Sequence, residues 1–165
     1  MTKRVLLFVL SLFWGAVLAS DLPNKTRTPG ATNPDVTQAN IHQTICVSGW
    51  TATIRPPTSY TNKLKFQQIQ EYKYADKKPS SYEEDHLISL QLGGHPTDPK
   101  NLWPQPYNTQ CGARIKDVVE TRLKRNVCEG KITLAEAQKA IATNWIAAYK
   151  RFVSKDGCPE PEDKQ

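Results

Sequence analysis

"EEDHLISLQLGGHPTDPKNLWPQPYN", Glu83 to Asn108, is the stretch that decides how this chain folds. From His86 to Leu92, "HLISLQL" alternates polar and apolar side chains and predicts a strand that Gly93-Gly94 turns. "HPTDPK" predicts a loop, because Pro96 and Pro99 have no N–H to give to a ladder. "NLW" then predicts a short returning strand that Pro104 ends, and a second loop leads to a helix opening near Gly112. The order is strand, loop, strand, helix, with Asp85-His86 opening the first strand and Asn101 opening the second. Ordinary packing does not call for one of only three histidines directly after an aspartate, followed by a Gly-Gly turn and Asn-Leu-Trp-Pro.

Towards the C-terminus the periodicity is helical. From Ala113 to Val127, the residues Ile115, Val118, Val119, Leu123 and Val127 recur at three- and four-residue intervals, and Gly130 breaks the run. Thr133 and Glu136 form a capping-box pattern, in which each side chain satisfies a free backbone N–H at a helix start. Leu134, Ala137, Ile141, Trp145, Ala148 and Phe152 continue one face for five turns.

The helix pair constrains the four cysteines, Cys46, Cys111, Cys128 and Cys158. An even number without close C-x-x-C spacing favours disulfides over structural zinc. Cys111 and Cys128 flank a helix that spans roughly 22 Å at 1.5 Å per residue. A disulfide needs Cα atoms within about 7 Å, so those two do not pair. The second helix returns antiparallel and carries Cys158 towards Cys111, which leaves Cys46 for Cys128.

Upstream, "TICVSGWTATIR", Thr44 to Arg55, is rich in β-branched residues and predicts an N-terminal strand ended by Pro56-Pro57. "SYTNKLKFQQIQEY" predicts a short helix, and "ADKKPSS" a loop. Residues 20–40 are rich in Pro, Thr, Asn and Asp and predict an extended arm. Before them, Lys3 and Arg4, the apolar run "VLLFVLSLFWGAVLA" and the small residues up to Ala19 have the pattern of a secretory signal peptide over residues 1–19. The run is shorter than the about 20 residues a spanning helix needs. Without Lys3 and Arg4 the formal charge falls from +6 to +4, so the expected exported chain, periplasmic or secreted, stays basic. One domain over 41–157, a flexible tail over 158–165 and a monomer complete the expectation.

Asp85-His86, followed fifteen residues later by Asn101-Leu102, resembles the His-Asn-His (HNH) nucleases of the ββα-metal class. "TICVSGWTATIRPP" upstream, with "KD..E" and "TLAEAQKAIATNW" downstream, is similar to small exported bacterial members of that class. The resemblance runs from about Thr28 to Trp145. It implies an α+β fold, a ββα-metal hairpin with a C-terminal helix pair and an N-terminal strand, stapled by disulfides. It also implies an endonuclease cleaving DNA, or RNA, with little sequence preference. His86 would be the general base and Asp85 a ligand of one divalent metal, Mg2+ first, with Mn2+, Ca2+ and Zn2+ as alternatives. Asn101 would orient His86 or join the metal. The chemistry suits these residue types. Histidine titrates near neutrality, and a hard cation on oxygen ligands neutralises charge developing on a phosphate.

One part of the pattern differs. The class carries a third His or Asn at the helix start, where this chain has Gly112-Ala113. Asn108, Asp117 and Glu120 stand as alternatives for that ligand. Six basic and three acidic residues between Gly112 and Lys131 leave +3 on one element. Arg114, Lys116, Arg122, Lys124 and Arg125 are therefore expected to meet phosphates. The rival expectation is a non-catalytic module outside the cytoplasm that binds nucleic acid or another polyanion on a decayed HNH site. His95 is expected in a solvated loop, His42 to be incidental, and Trp50, Trp103 and Trp145 to pack in the core.

Overall fold

Two short strands, β1 (Tyr82–His86) and β2 (Leu102–Pro106), pair antiparallel, with Tyr82 opposite Pro106 and His86 opposite Leu102. They form the two-stranded sheet of an α+β computed structural model that describes residues 19–159. The expected signal segment, apart from its last residue, and the tail beyond 159 lie outside the described residues.

The hairpin is displaced from the expected register. Asp85-His86 closes β1 rather than opening it, and residues 87–92 form bends and a 3-10 turn, Leu90–Leu92, instead of a strand. Pro104 does not end β2, which continues to Pro106. The ladder explains why. Leu87 N–H donates to Asn101 O at 2.8 Å, and Tyr107 N–H to Ser81 O at 3.0 Å. Alternation from these bonds leaves Pro104 and Pro106 at positions whose nitrogen points away from β1, where no donor is needed.

Both outer edges of the hairpin are partly covered. On β2, Leu102 O accepts from Thr28 Oγ1 at 3.1 Å and from Gln68 Nε2 at 3.0 Å. On β1, Tyr82 O accepts from Lys65 Nζ at 3.1 Å and His86 O from Lys116 Nζ at 2.7 Å. Side chains thus occupy part of both outer edges, and the expected N-terminal strand is absent from the described residues. Thr44 to Arg55 instead makes turns and a single helical stretch, α1 (Trp50–Ile54), entered through Gly49 at φ +79°.

The expected short helix is present as α2 (Thr58–Glu71), and it lies on one face of the hairpin, where Tyr82 packs with Ile69 and Tyr74. Helices α3 (Ala113–Cys128) and α4 (Leu134–Phe152) cover the other. There Trp103 and Trp145, both fully buried, join Val119, Leu123 and Ile141 in the main core. Trp50 is half-buried at its margin, and Val118 faces solvent at 46 % exposure. The Thr133–Glu136 capping box is present, with Glu136 N–H donating to Thr133 Oγ1 at 3.2 Å and Thr133 N–H to Glu136 Oε2 at 2.7 Å. Helix α4 is not one straight run. It kinks at Asn144 (φ −166°), whose Oδ1 accepts from Ala147 N–H at 3.0 Å and so caps the helix a second time.

Both expected disulfides form, Cys46–Cys128 with Cα atoms 5.8 Å apart and Cys111–Cys158 at 5.5 Å. The arm is irregular but bound. Trp145 Nε1–H donates to Asp21 O at 2.7 Å, Gly30 N–H to Lys100 O at 2.9 Å and Asn33 N–H to Gly93 O at 2.8 Å. It thus backs the loop between the strands. No helix among the described residues is long and apolar enough to cross a membrane.

Candidate active site

A cleft of about 210 Å³ opens where β1 ends, between α1, the turn after β1 and α3. His86 and Asp85 line it from β1, Arg55 from the end of α1, and Asp117, Glu120 and Lys124 from α3. Spacings of three and four residues put the last three on one helical face.

His86 is 6 % exposed. Its Nε2 bonds Pro96 O at 2.9 Å. A carbonyl only accepts, so Nε2 carries the proton and Nδ1 keeps its lone pair. Burial holds the imidazole below its ordinary pKa, against the opposing effects of the Pro96 bond and Asp85. Burial thus favours the uncharged ring.

Asn101 is fully buried and does not bond His86. Its Oδ1 accepts from Ile88 N–H at 2.9 Å and Ala31 N–H at 3.4 Å. Its Nδ2 donates to Ile88 O at 2.9 Å and His95 O at 3.0 Å. With the amide so occupied, neither direct role expected of Asn101, orienting the ring or joining a metal, fits. It shapes the loop that carries Pro96 O. Gly94 permits the closeness, since a Cβ there would lie 1.7 Å from Ile88 O. His95 is more than a solvated loop histidine, because its Nδ1 accepts from Thr97 N–H at 3.3 Å and Asp98 N–H at 3.0 Å. His42 is exposed and does not line the cleft.

Lys116 corrects the expected phosphate contact. Its side chain is fully buried, and Nζ lies 2.7 Å from Asp85 Oδ2, 2.7 Å from His86 O, and on Glu120 Oε1. Burial alone would lower the ammonium's pKa, but Asp85 and Glu120 outweigh it and the pKa rises. Glu120 is raised in turn, first by burial and, against the pull of Lys116, by Asp85. Its Oε2 accepts from Gln91 Nε2 at 3.2 Å. Asp117 is an exposed residue of α3 whose carboxyl is raised by partial desolvation and by Asp85; Glu83 is raised by burial, Asp85 and Asp117.

The residues present do not fit a divalent metal at this place. An ammonium already sits on Asp85 and Glu120, two of the expected ligands. Asn101 is occupied, and Asn108 is exposed and does not line the cleft. Among the described residues, no group of three or more His, Cys, Asp or Glu side chains is arranged to hold a metal.

Of the expected basic face, Arg114, Arg122 and Arg125 are exposed, with the Arg114 guanidinium 5.9 Å from the Tyr107 ring centroid. Lys124 is half-buried in the cleft. Reading the sequence missed Arg55 and Ser89. Arg55 was hidden by the expected strand, and its charge acts on both His86 and Asp117. Ser89 is 4 % exposed, lines the cleft, and its Oγ has no hydrogen-bond partner. Comparison with protein-family models, curated proteins and solved structures finds no match.

Proposed function

We propose that this cleft is the active site of a phosphodiesterase that cuts nucleic acid, with His86 as general base. The observation that carries this reading is the His86–Pro96 bond, which leaves Nδ1 of a neutral imidazole free to take a proton at a polar cleft. His86 Nδ1 removes the proton of the attacking hydroxyl or water as the new oxygen–phosphorus bond forms. The bond to the leaving oxygen breaks, and that oxygen takes a proton from Asp117, whose raised carboxyl holds one more readily than an ordinary aspartate. Arg55, Lys124 and the unpartnered Ser89 hydroxyl meet the phosphate oxygens. Contacts of this kind go to the backbone and read no bases, so cleavage has little sequence preference. The sequence of elements β1, β2, α3 agrees with the hairpin that the HNH resemblance implies. Two disulfides suit a chain that works outside the reducing cytoplasm, after its signal peptide is removed.

A second reading is favoured by the carboxylates of the cleft, Glu83, Asp85, Asp117 and Glu120, which repel a phosphate. It is a non-catalytic module that holds nucleic acid on the outer face of α3 through Arg114, Arg122 and Arg125. Incubation of the oxidised protein with plasmid DNA and with RNA separates the two. The first reading requires cleavage that His86→Ala slows by about 10²–10⁴-fold while affinity is kept. Binding of either polymer without cleavage by the wild type establishes the second.

A further inference from the structure

We propose that the ammonium of Lys116 is the resident cation of this site, seated in an oxygen cage that takes a divalent ion only when the lysine is removed. The inference deepens the phosphodiesterase reading, on which it rests for its bearing on catalysis, but the cage is defined by geometry alone. Three oxygens from two elements converge on one nitrogen. Asp85 Oδ2 comes from β1 and Glu120 Oε1 from the next turn of α3. The third is the main-chain oxygen of His86, at the end of β1. His86 stands opposite Leu102 in the ladder, in a pair whose main-chain bonds point outward, so its carbonyl is free to face α3.

The ammonium donates to His86 O and Glu120 Oε1, Asp85 Oδ2 completes the cage as an ion-pair contact at 2.7 Å, and no solvent reaches this side chain. Two carboxylates and a carbonyl around one point form a donor set that a hard divalent ion also takes, at about 2.0–2.6 Å against the 2.7 Å found to Asp85 and His86. A covalently tethered charge differs from a bound ion in one respect: it does not exchange. Entry of a divalent ion would require a buried ammonium to leave two carboxylates, which the packing of α3 on β1 opposes. Lys116 thereby acts as a positioning residue. It fixes the end of β1, and with it His86, in the way a ligated ion would, and it keeps that support when metal is scarce.

Removing the lysine reverses the situation. Lys116→Ala leaves two buried carboxylates and a carbonyl around an open space, which is unfavourable until a divalent ion fills it. The experiment is Mn2+ titration of the oxidised wild type, Lys116→Ala and Lys116→Ala/Glu120→Gln, followed by Tm and by Mn2+ binding. The expected result is a wild-type Tm that does not respond to Mn2+, and a Lys116→Ala protein that is less stable. Saturating Mn2+ should raise the Tm of that variant by several degrees or more, and the added Glu120→Gln should abolish the rise. If Lys116→Ala folds only with Mn2+, that also supports the cage. The proposal is overturned if the wild type binds Mn2+ stoichiometrically and loses it on Asp85→Asn. It is equally overturned if Lys116→Ala, folded or not, is indifferent to Mn2+. None of these readouts involves cleavage, so an inactive protein leaves the cage to be judged separately, and a failed cage leaves His86 to be judged by cleavage.

Discussion

Asn101 and His86 do not touch, yet the side chain of one sets the ring of the other. Asn101 Nδ2 donates to His95 O at 3.0 Å, and the next carbonyl, Pro96 O, accepts from His86 Nε2 at 2.9 Å. Asn101→Ala would leave Ile88 N–H, Ile88 O and His95 O short of partners inside the protein. A loss of about 2–4 kcal/mol in stability is expected. Activity should fall further than stability explains, and the His86 Nε2–H resonance should shift. A resonance unchanged in a folded Asn101→Ala protein would mean the loop holds its own shape.

Cleavage should persist on the acid side of neutrality. The His86 imidazole is held below 6.5, first by burial, so it remains an unprotonated base at pH values where a free histidine is charged. The acid limb of kcat/KM therefore falls below pH 6.5. Arg55→Gln removes a positive charge that helps lower this pKa, and should move the limb upward. A limb at or above 6.5 in the wild type contradicts the neutral, buried base.

Glu84 makes a prediction about stability alone. Both of its carboxylate oxygens are buried without a hydrogen-bond partner. Burial, opposed by Lys65 and aided by Asp85, raises the carboxyl from 4.5 to about 8. The folded state thus keeps a proton that the unfolded state loses above pH 4.5. Stability from this group is fully present below that value, declines as pH rises, and is gone above about 8. Glu84→Gln should match the wild type at pH 4 and exceed it at pH 9 by roughly 2–4 kcal/mol, since each unit of pKa is worth about 1.4 kcal/mol before relaxation. Equal melting curves at pH 9 would refute it.

Reduction should disable the protein. Cys46–Cys128 closes a separation of 82 residues, for which chain entropy gives roughly 4.5 kcal/mol, a large share of a domain's stability. The bond also ties the segment before α1 to the end of α3, the two helices on either side of the cleft. Verified reduction of all four thiols is expected to lower Tm by more than 10 °C, roughly, and to suppress cleavage. An unchanged Tm would show that packing alone holds α1.

The helices and the disulfides were legible because they follow from local rules. Ile115 to Val127 repeats at helical spacing, Thr133 and Glu136 are three residues apart, and helix length alone forbids Cys111–Cys128. The strands were less legible. A two-stranded ladder needs donors at only alternate positions of β2, so Pro104 and Pro106 are tolerated where a wider sheet would reject them. Thr44 to Arg55 has the composition of a strand, but the edge carbonyls of Tyr82, His86 and Leu102 already accept from side chains. At the site, Asp85 and His86 stood out by adjacency. The Lys116–Glu120 spacing is ordinary for a solvated helix face, and nothing local says that Asp85 will close over it. Arg55 reaches the cleft only through the turn that replaced the expected strand.

The two disulfides interlock: Cys46 joins Cys128 across Cys111, and Cys111 joins Cys158 across Cys128. A chain emerging N-terminus first exposes Cys46 and Cys111 before either native partner. An oxidase acting on thiols in order of appearance would thus weld the wrong pair. Correct assembly calls for α3 and α4 to dock before oxidation, or for a shuffling catalyst to undo the first bond. The connectivity therefore means that only a chain that has reached Cys158 can close both native bonds.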